Sequence, residues 1–228
     1  MAYLLHLETA ADFCSVCLSQ NDQVLGEQAS NEKNKHAAQI TLLIEKVMAD
    51  HGLQLQNIDA VAVSAGPGSY TGLRVGSSTA KGICYALDRP LIAVDTLKAL
   101  AWASYQTYQK AAIYVPMIDA RRMEVYTSLF DEQLQVLEAT SAKIIDEHSF
   151  ANYFEKGQQL VFSGDGAAKC QAYLKHPSAY FLSVPIVAAN MVALAFDSYQ
   201  KQAFEDLAYF SPNYFKAPNI TQSKRNIL

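Results

Sequence analysis

The chain has 228 residues, of which 50% are hydrophobic, and a formal net charge of −4. This length allows a full core or two small lobes, and the weakly acidic balance argues against a protein that binds nucleic acid through a basic surface of its own. The N-terminal segment meets Glu8 too early for a signal peptide, and no uncharged apolar run reaches the roughly 20 residues that cross a bilayer.

The four cysteines lie in apolar segments, which indicates packing rather than chemistry. Cys14 and Cys17 form a Cys-x-x-Cys pair, but no second such pair and no pair of histidines completes a zinc site. Positions three apart in a strand point to opposite faces, so the two thiols should diverge. We therefore expect structural thiols in a reducing, cytoplasmic setting.

The first half of the chain predicts five strands and three helices from its hydrophobic periodicity and turn residues. In chain order these are strands Tyr3–Leu7, Phe13–Ser19 and Gln23–Gln28, a helix with an apolar stripe from Ile40 to Met48 that stops at Gly52, strand Ala60–Ser64, helix Thr71–Leu87, strand Leu91–Val94 and a helix capped by Asp95 that runs to Tyr108.

The second half predicts the same succession again, with little residue identity to the first. Its elements are strands Ile113–Ile118, Met123–Phe130 and Leu134–Glu138, a helix from Asp146 to Phe154, strand Leu160–Ser163, a glycine turn with a helical stretch to Leu174, a short strand at Phe181–Leu182 and a helix Asn190–Phe204.

Both halves thus have the order β-β-β-α-β-α-β-α, which fits a mixed sheet flanked by helices. A duplication of this unit predicts an α/β protein of the actin-like, or acetate-kinase-like, class. We place the N-terminal lobe at 1–98 and the C-terminal lobe at 99–228, and expect the last helix and the tail to pack back on the N-terminal lobe.

The segment Gly66–Arg74 stands between a buried strand and a long helix and carries three glycines and a proline. Its helix N-terminus has unpaired N–H groups, so one hypothesis is a phosphate-binding loop. The other is a rigid turn that presents Tyr70 and Arg74 to a protein partner. The Walker pattern and Gly-x-Gly-x-x-Gly are both absent.

This segment, continued to Gly76, is similar to the GPGSFTGLRxG signature of the bacterial TsaB (YeaZ) family. Further segments resemble that family at Leu7–Ala10, at His36, at Ile118–Tyr126 and at Pro212–Lys216. The signature is specific, and the resemblance extends along most of the chain.

The resemblance implies an actin-like (ASKHA, acetate-kinase/Hsp70-like ATPase) fold and a subunit of the machinery that makes N6-threonylcarbamoyladenosine on tRNA beside the anticodon. It implies an activating subunit without catalysis, paired with a catalytic paralogue, TsaD, and joined by an ATPase, TsaE. ATP and a metal would belong to TsaD, and this chain would need no cofactor of its own. It would form a homodimer in isolation and reach tRNA only through the complex.

Two sets of residues are candidates for function. We predict a partner interface on the first two helices, because small residues let another helix approach closely. The alternative is that these small residues only let the second helix lie on its own sheet. Leu42, off the main stripe, and the small Ser78 and Gly82 accompany the predicted interface. The predicted interface comprises His36, Ile40, Leu43, Val47, Tyr70, Thr71, Arg74, Gly76, Ser77 and Ala80. A vestigial nucleotide site would comprise Glu8, Asp119, Gly164 and Gly166.

The sequence also offers arguments against catalysis by this chain. TsaD-type chains hold a metal through His-x-x-x-His on the first helix, whereas Ile40 here follows His36 at that spacing and cannot ligate. We therefore predict no metal site and no catalytic residue, and interpret His36 as a hydrogen-bonding residue at the helix start or interface.

Two enzyme alternatives stay open. An autonomous ATPase or kinase would need glycine-rich phosphate turns, and the turns after Glu8 and Asp119 contain no glycine, so these carboxylates would either hold magnesium or pin the turns. A glycoprotease-like hydrolase could use Ser69, but the Gly-x-Ser-x-Gly spacing is absent. The basic tail with Lys216, Lys224 and Arg225 is interpreted as solvated.

Overall fold

The fold is seen in a computed structural model that describes residues 1–30, 32–33 and 35–216, so Lys224 and Arg225 lie outside the described residues. The first half contains β1 (Tyr3–Glu8), β2 (Ser15–Gln20), β3 (Gln23–Ala29), α1 (His36–Asp50), β4 (Ala60–Ser64), α2 (Tyr70–Leu87), β5 (Leu91–Val94) and α3 (Thr96–Tyr108). The second half contains β6 (Ile113–Asp119), β7 (Glu124–Phe130), β8 (Val136–Ile144), α4 (Ala151–Glu155), β9 (Leu160–Ser163), α5 (Ala167–Cys170), β10 (Ala179–Leu182) and α6 (Val192–Gln200).

The strands of the described residues form two five-stranded sheets with the same topology. The first has the order β3-β2-β1-β4-β5, with an antiparallel β1-β2-β3 meander and parallel β1-β4-β5 pairing. The second has the order β10-β9-β6-β7-β8, with β6-β7-β8 antiparallel and β6-β9-β10 parallel. The predicted duplication of a mixed, helix-flanked sheet is confirmed.

Helices cover both faces of the first sheet. Because side chains alternate along a strand, Leu5 and Leu7 point to the cluster under α1 and α2, while Leu4 points to the opposite cluster with α6. Cys14 and Cys17 divide in the same way, as predicted. All four cysteines are buried and free, and burial raises the pKa of each thiol, which disfavours the reactive thiolate.

Helix α3 lies between the two sheets. Ala99 packs in the core of the first sheet, whereas Leu97 and Ala101 pack with Tyr114 under the second sheet. The boundary proposed between residues 98 and 99 therefore falls inside α3. Helix α6 returns to the first sheet, where Val192 is buried in its core.

Several second-half boundaries differ from prediction. Strand β8 continues to Ile144 because it pairs with β7 along its whole length, although its side chains are mostly exposed. Helix α4 begins only at Ala151, because the Asp146 carboxylate accepts the His148 N–H and the Ser149 hydroxyl and so forms a local turn. Helices α5 and α6 are also shorter than predicted. Among the residues with described structure, no helix has the length and apolarity needed to cross a bilayer.

Candidate functional site

The glycine segment between β4 and α2 is packed against the turn that follows β1. Ser69 N donates to the Ala10 carbonyl at 2.7 Å, and a Cβ on Gly68 would lie only 2.6 Å from that of Ala10. Gly66 has φ +92°, a backbone conformation that favours glycine, and the Gly66–Pro67 peptide is cis. The glycines of this segment thus allow a tight turn that packs closely against the turn after β1 in the same lobe.

The start of α2 uses its polar side chains for local structure. Ser69 is the N-cap, and its Oγ accepts the Gly72 N–H at 3.2 Å. Arg74 Nη1 donates to the Tyr70 hydroxyl at 3.0 Å, and the Tyr70 ring lies 4.8 Å from that of Tyr214 near the C-terminus. Arg74 is exposed, whereas Tyr70 is half-buried against its own chain.

Most of the predicted interface residues are buried inside the lobe, and the set is corrected accordingly. The apolar stripe of α1 and the small stripe of α2 face the first sheet, where a methyl group on Gly76 would overlap the Thr9 hydroxyl. In this conformation these residues offer little or no surface to a partner. The residues concerned are His36, Ile40, Leu43, Val47, Gly76, Ser77 and Ala80.

His36 has a local hydrogen-bonding role. It is buried at the first position of α1, and its Nε2–H donates to the Ala11 carbonyl oxygen at 2.9 Å. This contact ties the start of α1 to the turn after β1, in agreement with the interpretation of His36 as a helix-start residue. Ile40, one turn later, is part of the core. Within the described ranges, no group of three or more His, Cys, Asp or Glu residues is arranged to hold a metal ion.

The outer face of α1 and α2 remains available to a partner. Thr71 and Arg74 are exposed there, and so are the three residues named alongside the predicted set: Leu42, with 56% of its surface exposed, Ser78 and Gly82. A Cβ on Gly82 would meet no atom within 4 Å. We call this surface the α1–α2 outer face.

An apolar groove of about 370 Å³ opens beside the α1–α2 outer face. It lies between the two helices and the segment after α1, and its wall includes Ile44, Met48, Leu53, Leu55 and Ile83. Sequence periodicity could not reveal the groove, because Ile44 and Met48 belong to the same stripe that fills the core.

A second surface, the interlobe cleft, has a volume of about 600 Å³. Its wall combines the turn after β1 (Ala10–Asp12), the glycine segment with the start of α2 (67–71), the end of β6 with the turn after it (118–121) and residues 213–216. Asp119 and Asp165 also line this cleft.

The end of the first strand has the same arrangement in both halves. Glu8 Oε1 accepts the Ala10 N–H at 2.6 Å, and Asp119 Oδ1 accepts the Arg121 N–H at 2.8 Å. A phosphate bound at these turns would need such N–H groups. Since the chain's own carboxylates already accept them, the contacts support the hypothesis that Glu8 and Asp119 pin the turns.

The environments of these two carboxylates differ. Glu8 is fully buried, and burial raises its pKa to about 7. The hydrogen bonds from Ala10, Ser64 and Thr9 favour the ionised form and oppose this rise, but burial has the larger effect. Asp119 is exposed and forms an ion pair with Lys169. Asp165 accepts the Asp119 N–H at 2.9 Å, and burial raises its pKa, with the charges of Asp119 and Asp12 adding to the effect.

The second glycine turn is explained by packing. A methyl group on Gly164 would overlap the Met117 carbonyl oxygen, and one on Gly166 would lie 3.0 Å from both Ile118 C and Val125 Cγ1. These glycines let the turn after β9 lie close to β6. Close packing therefore accounts for both without a nucleotide.

Comparison with known proteins agrees with the fold and the motifs. The chain matches the family described as "TsaD: tRNA N6-adenosine threonylcarbamoyltransferase" over residues 23–224. It is 39% identical over 128 residues to the tRNA threonylcarbamoyladenosine biosynthesis protein TsaB of Haemophilus influenzae, which is 55% of this chain and 52% of that protein. The chain spans about half the length of the curated relatives it matches.

Solved structures give the same picture over more of the chain. YeaZ from Pseudomonas aeruginosa superimposes with a TM-score of 0.80 and 25% identity, covering 94% of this chain and all of that one. The activator of the 2-hydroxyisocaproyl-CoA dehydratase from Clostridium difficile, a structure with bound ADPNP, shares the fold at a TM-score of 0.53 and 9% identity, over 88% of this chain and 97% of that one. The fold is thus the actin-like one, and the chain belongs to the TsaD family and, within it, to the TsaB (YeaZ) group.

Proposed function

We propose that this chain is a non-catalytic activating subunit in the formation of N6-threonylcarbamoyladenosine on tRNA, and that it pairs with a catalytic TsaD-type subunit. The names of its relatives supply the pathway. The observation that carries the pairing is the α1–α2 outer face, where exposed Leu42, Ser78 and Gly82 adjoin an apolar groove. A pair of helices whose outer residues include small ones and an exposed leucine suits close packing against another helix pair.

The proposal assigns catalysis to the partner. His36 is buried against a backbone carbonyl, and the position one turn later is the core residue Ile40, so α1 lacks the pair of ligands that a TsaD-type metal site needs. ATP and the metal would belong to the TsaD-type subunit and this chain would carry no cofactor. A TsaE-type ATPase would join the two in the cytoplasm, and tRNA would be reached through the complex.

In the absence of that partner, the α1–α2 outer face would pair with a second copy of the chain. Two subunits of the same fold can present equivalent helix pairs to each other, so the homodimer and the heterodimer would compete for one surface.

The enzyme alternatives are less well supported. An autonomous ATPase or kinase is disfavoured because Glu8 and Asp119 occupy the N–H groups of the turns that would cradle phosphate. A hydrolase is disfavoured because Ser69 is the N-cap of α2, where its oxygen accepts a backbone hydrogen bond.

Binding to the purified TsaD-type protein of the same organism tests the pairing. Leu42→Glu and Gly82→Arg both place a charge on exposed positions of the outer face without touching the core. We expect each to weaken the complex by about tenfold or more, as charges buried at an interface do. Leu137→Glu, at a leucine 46% exposed on β8, is the matched control and should bind like the wild type. Equal affinity of all four proteins, measured by calorimetry, would disprove the proposed interface.

A further inference from the structure

The segment that follows α6 runs back along the first lobe to the interlobe cleft. Glu205 N donates to the Leu91 carbonyl at 2.9 Å, which forms an antiparallel bridge with the edge strand β5. Lys81 Nζ then donates to the carbonyls of Ala208 and Phe210 at 3.2 and 3.1 Å. These contacts fix the path of the segment as far as the mouth of the cleft.

Four consecutive residues, Asn213–Lys216, then join the two lobes across the cleft. On the first-lobe side, Asn213 N donates to the Ala65 carbonyl at 2.8 Å and the Tyr214 ring packs on Tyr70. On the second-lobe side, the Phe215 ring centroid lies 6.3 Å from that of Tyr126 on β7. The segment therefore contacts both walls of the cleft within four residues.

Lys216 completes the contact with the second lobe. Its ammonium group forms an ion pair with Glu124 at the start of β7 and lies 5.8 Å from the centre of the Tyr126 ring. Because Tyr214 and Phe215 are about 40% exposed, these contacts are shared with solvent and are individually weak. Contacts of this kind can be released without disturbing either core.

We propose that residues 213–216 form an interlobe latch, a C-terminal strap that holds the two lobes closed over the cleft and covers its wall. Release of the latch would let the lobes open at the cleft, about the helix α3 that packs in both cores, and expose the turns after β1 and β6. The latch meets the start of α2 at Tyr70, next to Thr71 and Arg74 of the α1–α2 outer face. Its contacts lie within one chain, so it is tested on this chain alone, without a TsaD-type subunit.

Charge reversal of the Lys216–Glu124 pair tests the latch. Spin labels on Asp22→Cys and Glu147→Cys, two exposed positions in different lobes, report the interlobe distance by pulsed EPR, since the native cysteines are buried. The labelled chain is diluted with unlabelled chain, so that only distances within one chain are measured. Lys216→Glu and Glu124→Lys should each broaden the distance distribution toward longer values. The double reversal should restore the narrow wild-type distribution. Lys201→Glu, which breaks the exposed Lys201–Asp197 pair within one lobe, is the matched control and should leave it narrow.

Two truncated chains give an independent measurement. A chain that ends at Lys216 keeps the latch, and one that ends at Pro212 lacks it. By hydrogen exchange, the backbone amides of Asp119–Tyr126 should exchange at least tenfold faster in the shorter chain. Equal exchange in the two chains, or equal interlobe distances in the single charge reversals and the wild type, would overturn the proposal. If the shorter chain fails to fold, the charge-reversal series decides alone.

Discussion

At the scale of single residues, the chain uses small and polar side chains to hold its own backbone together around Thr9. Gly72 and Gly76 both let α2 lie against Thr9, and Glu8 accepts the Ala10 N–H. The sequence shows that α2 is rich in small residues but not which of them face inward. Which of them face inward depends on contacts with the end of β1, which is far away along the chain. The periodicity of one helix therefore does not predict it.

Two glycines of α2 should respond in opposite ways to alanine. A methyl group on Gly72 would overlap the Thr9 carbonyl oxygen, so Gly72→Ala should destabilise the protein by about 1–3 kcal/mol. Gly82 has open space, so Gly82→Ala should stabilise it by about 0.5–1 kcal/mol through helix propensity. Urea unfolding of both variants measures the difference. If both substitutions changed the free energy of unfolding in the same direction, the result would contradict the packing described for α2.

Glu8 should make stability fall as the pH rises. Its pKa is about 7 in the folded protein and 4.5 ordinarily, so between these values the folded state keeps a proton that the unfolded chain has lost. The free energy of unfolding therefore decreases across this window. Glu8→Gln removes this titration. The free energy of unfolding of the variant minus that of the wild type should therefore be larger at pH 8 than at pH 4, by on the order of 3 kcal/mol.

The comparison is made by denaturant unfolding of both proteins from pH 4 to pH 8. Burial lowers the pKa of His6 to about 3, which makes stability fall as the pH drops below its ordinary value of 6.5. The His6 contribution to the pH dependence of the free energy of unfolding is the same in the wild type and in Glu8→Gln. It therefore cancels when the two free energies are subtracted. A difference between Glu8→Gln and the wild type that stays constant with pH would refute the buried, protonated state of Glu8.

At the scale of elements, helix starts are set by side-chain caps that the sequence displays. Asp95 caps α3 by accepting the Lys98 N–H at 2.8 Å, as its position before an apolar run predicts. The glycine segment ends in a comparable cap at Ser69. A cap accounts for this serine without any nucleophilic chemistry.

Ser69→Ala should therefore change stability rather than an enzymatic activity. Loss of the hydrogen bond to the Gly72 N–H should cost about 1 kcal/mol, and Asp95→Ala should cost a similar amount at α3. Thermal unfolding of the two variants checks this expectation. A peptide hydrolysis that is present in the wild type and abolished in Ser69→Ala would contradict it and favour the hydrolase alternative.

Elements with a clear apolar pattern and turn or cap residues at their ends had predictable limits, whereas solvent-facing elements and those with a local turn at one end did not. Strand β4 and helix α3 have the predicted limits, because both combine a clear apolar pattern with turn or cap residues. Strand β8 was predicted too short, since its largely exposed side chains give little hydrophobic signal and its length comes from pairing with β7. Helix α4 was predicted too long, because Asp146 forms a turn of its own rather than a cap.

At the scale of the whole molecule, the order of elements was sufficient to predict the duplicated fold, but not how the two halves meet. Helix α3 serves both sheets, and the residues after α6 return to the first lobe and then reach β7. The return of the last helix and the tail to the first lobe is expected from the sequence. The packing of α3 in both cores and the contact with β7 join segments that are distant in sequence, so no local pattern records them. The sequence was sufficient to predict that α1 and α2 carry the candidate site. The structure was needed to show which side of these helices is exposed to a partner.

The central claim, that this chain activates a TsaD-type transferase, is tested most directly by reconstituting tRNA threonylcarbamoylation from purified components of the same organism. We expect N6-threonylcarbamoyladenosine to form with the chain present, and its formation to fall to background when the chain is omitted or replaced by Gly82→Arg. Leu137→Glu should support the wild-type level. Modification that proceeds at the full rate without the chain would contradict the proposed function.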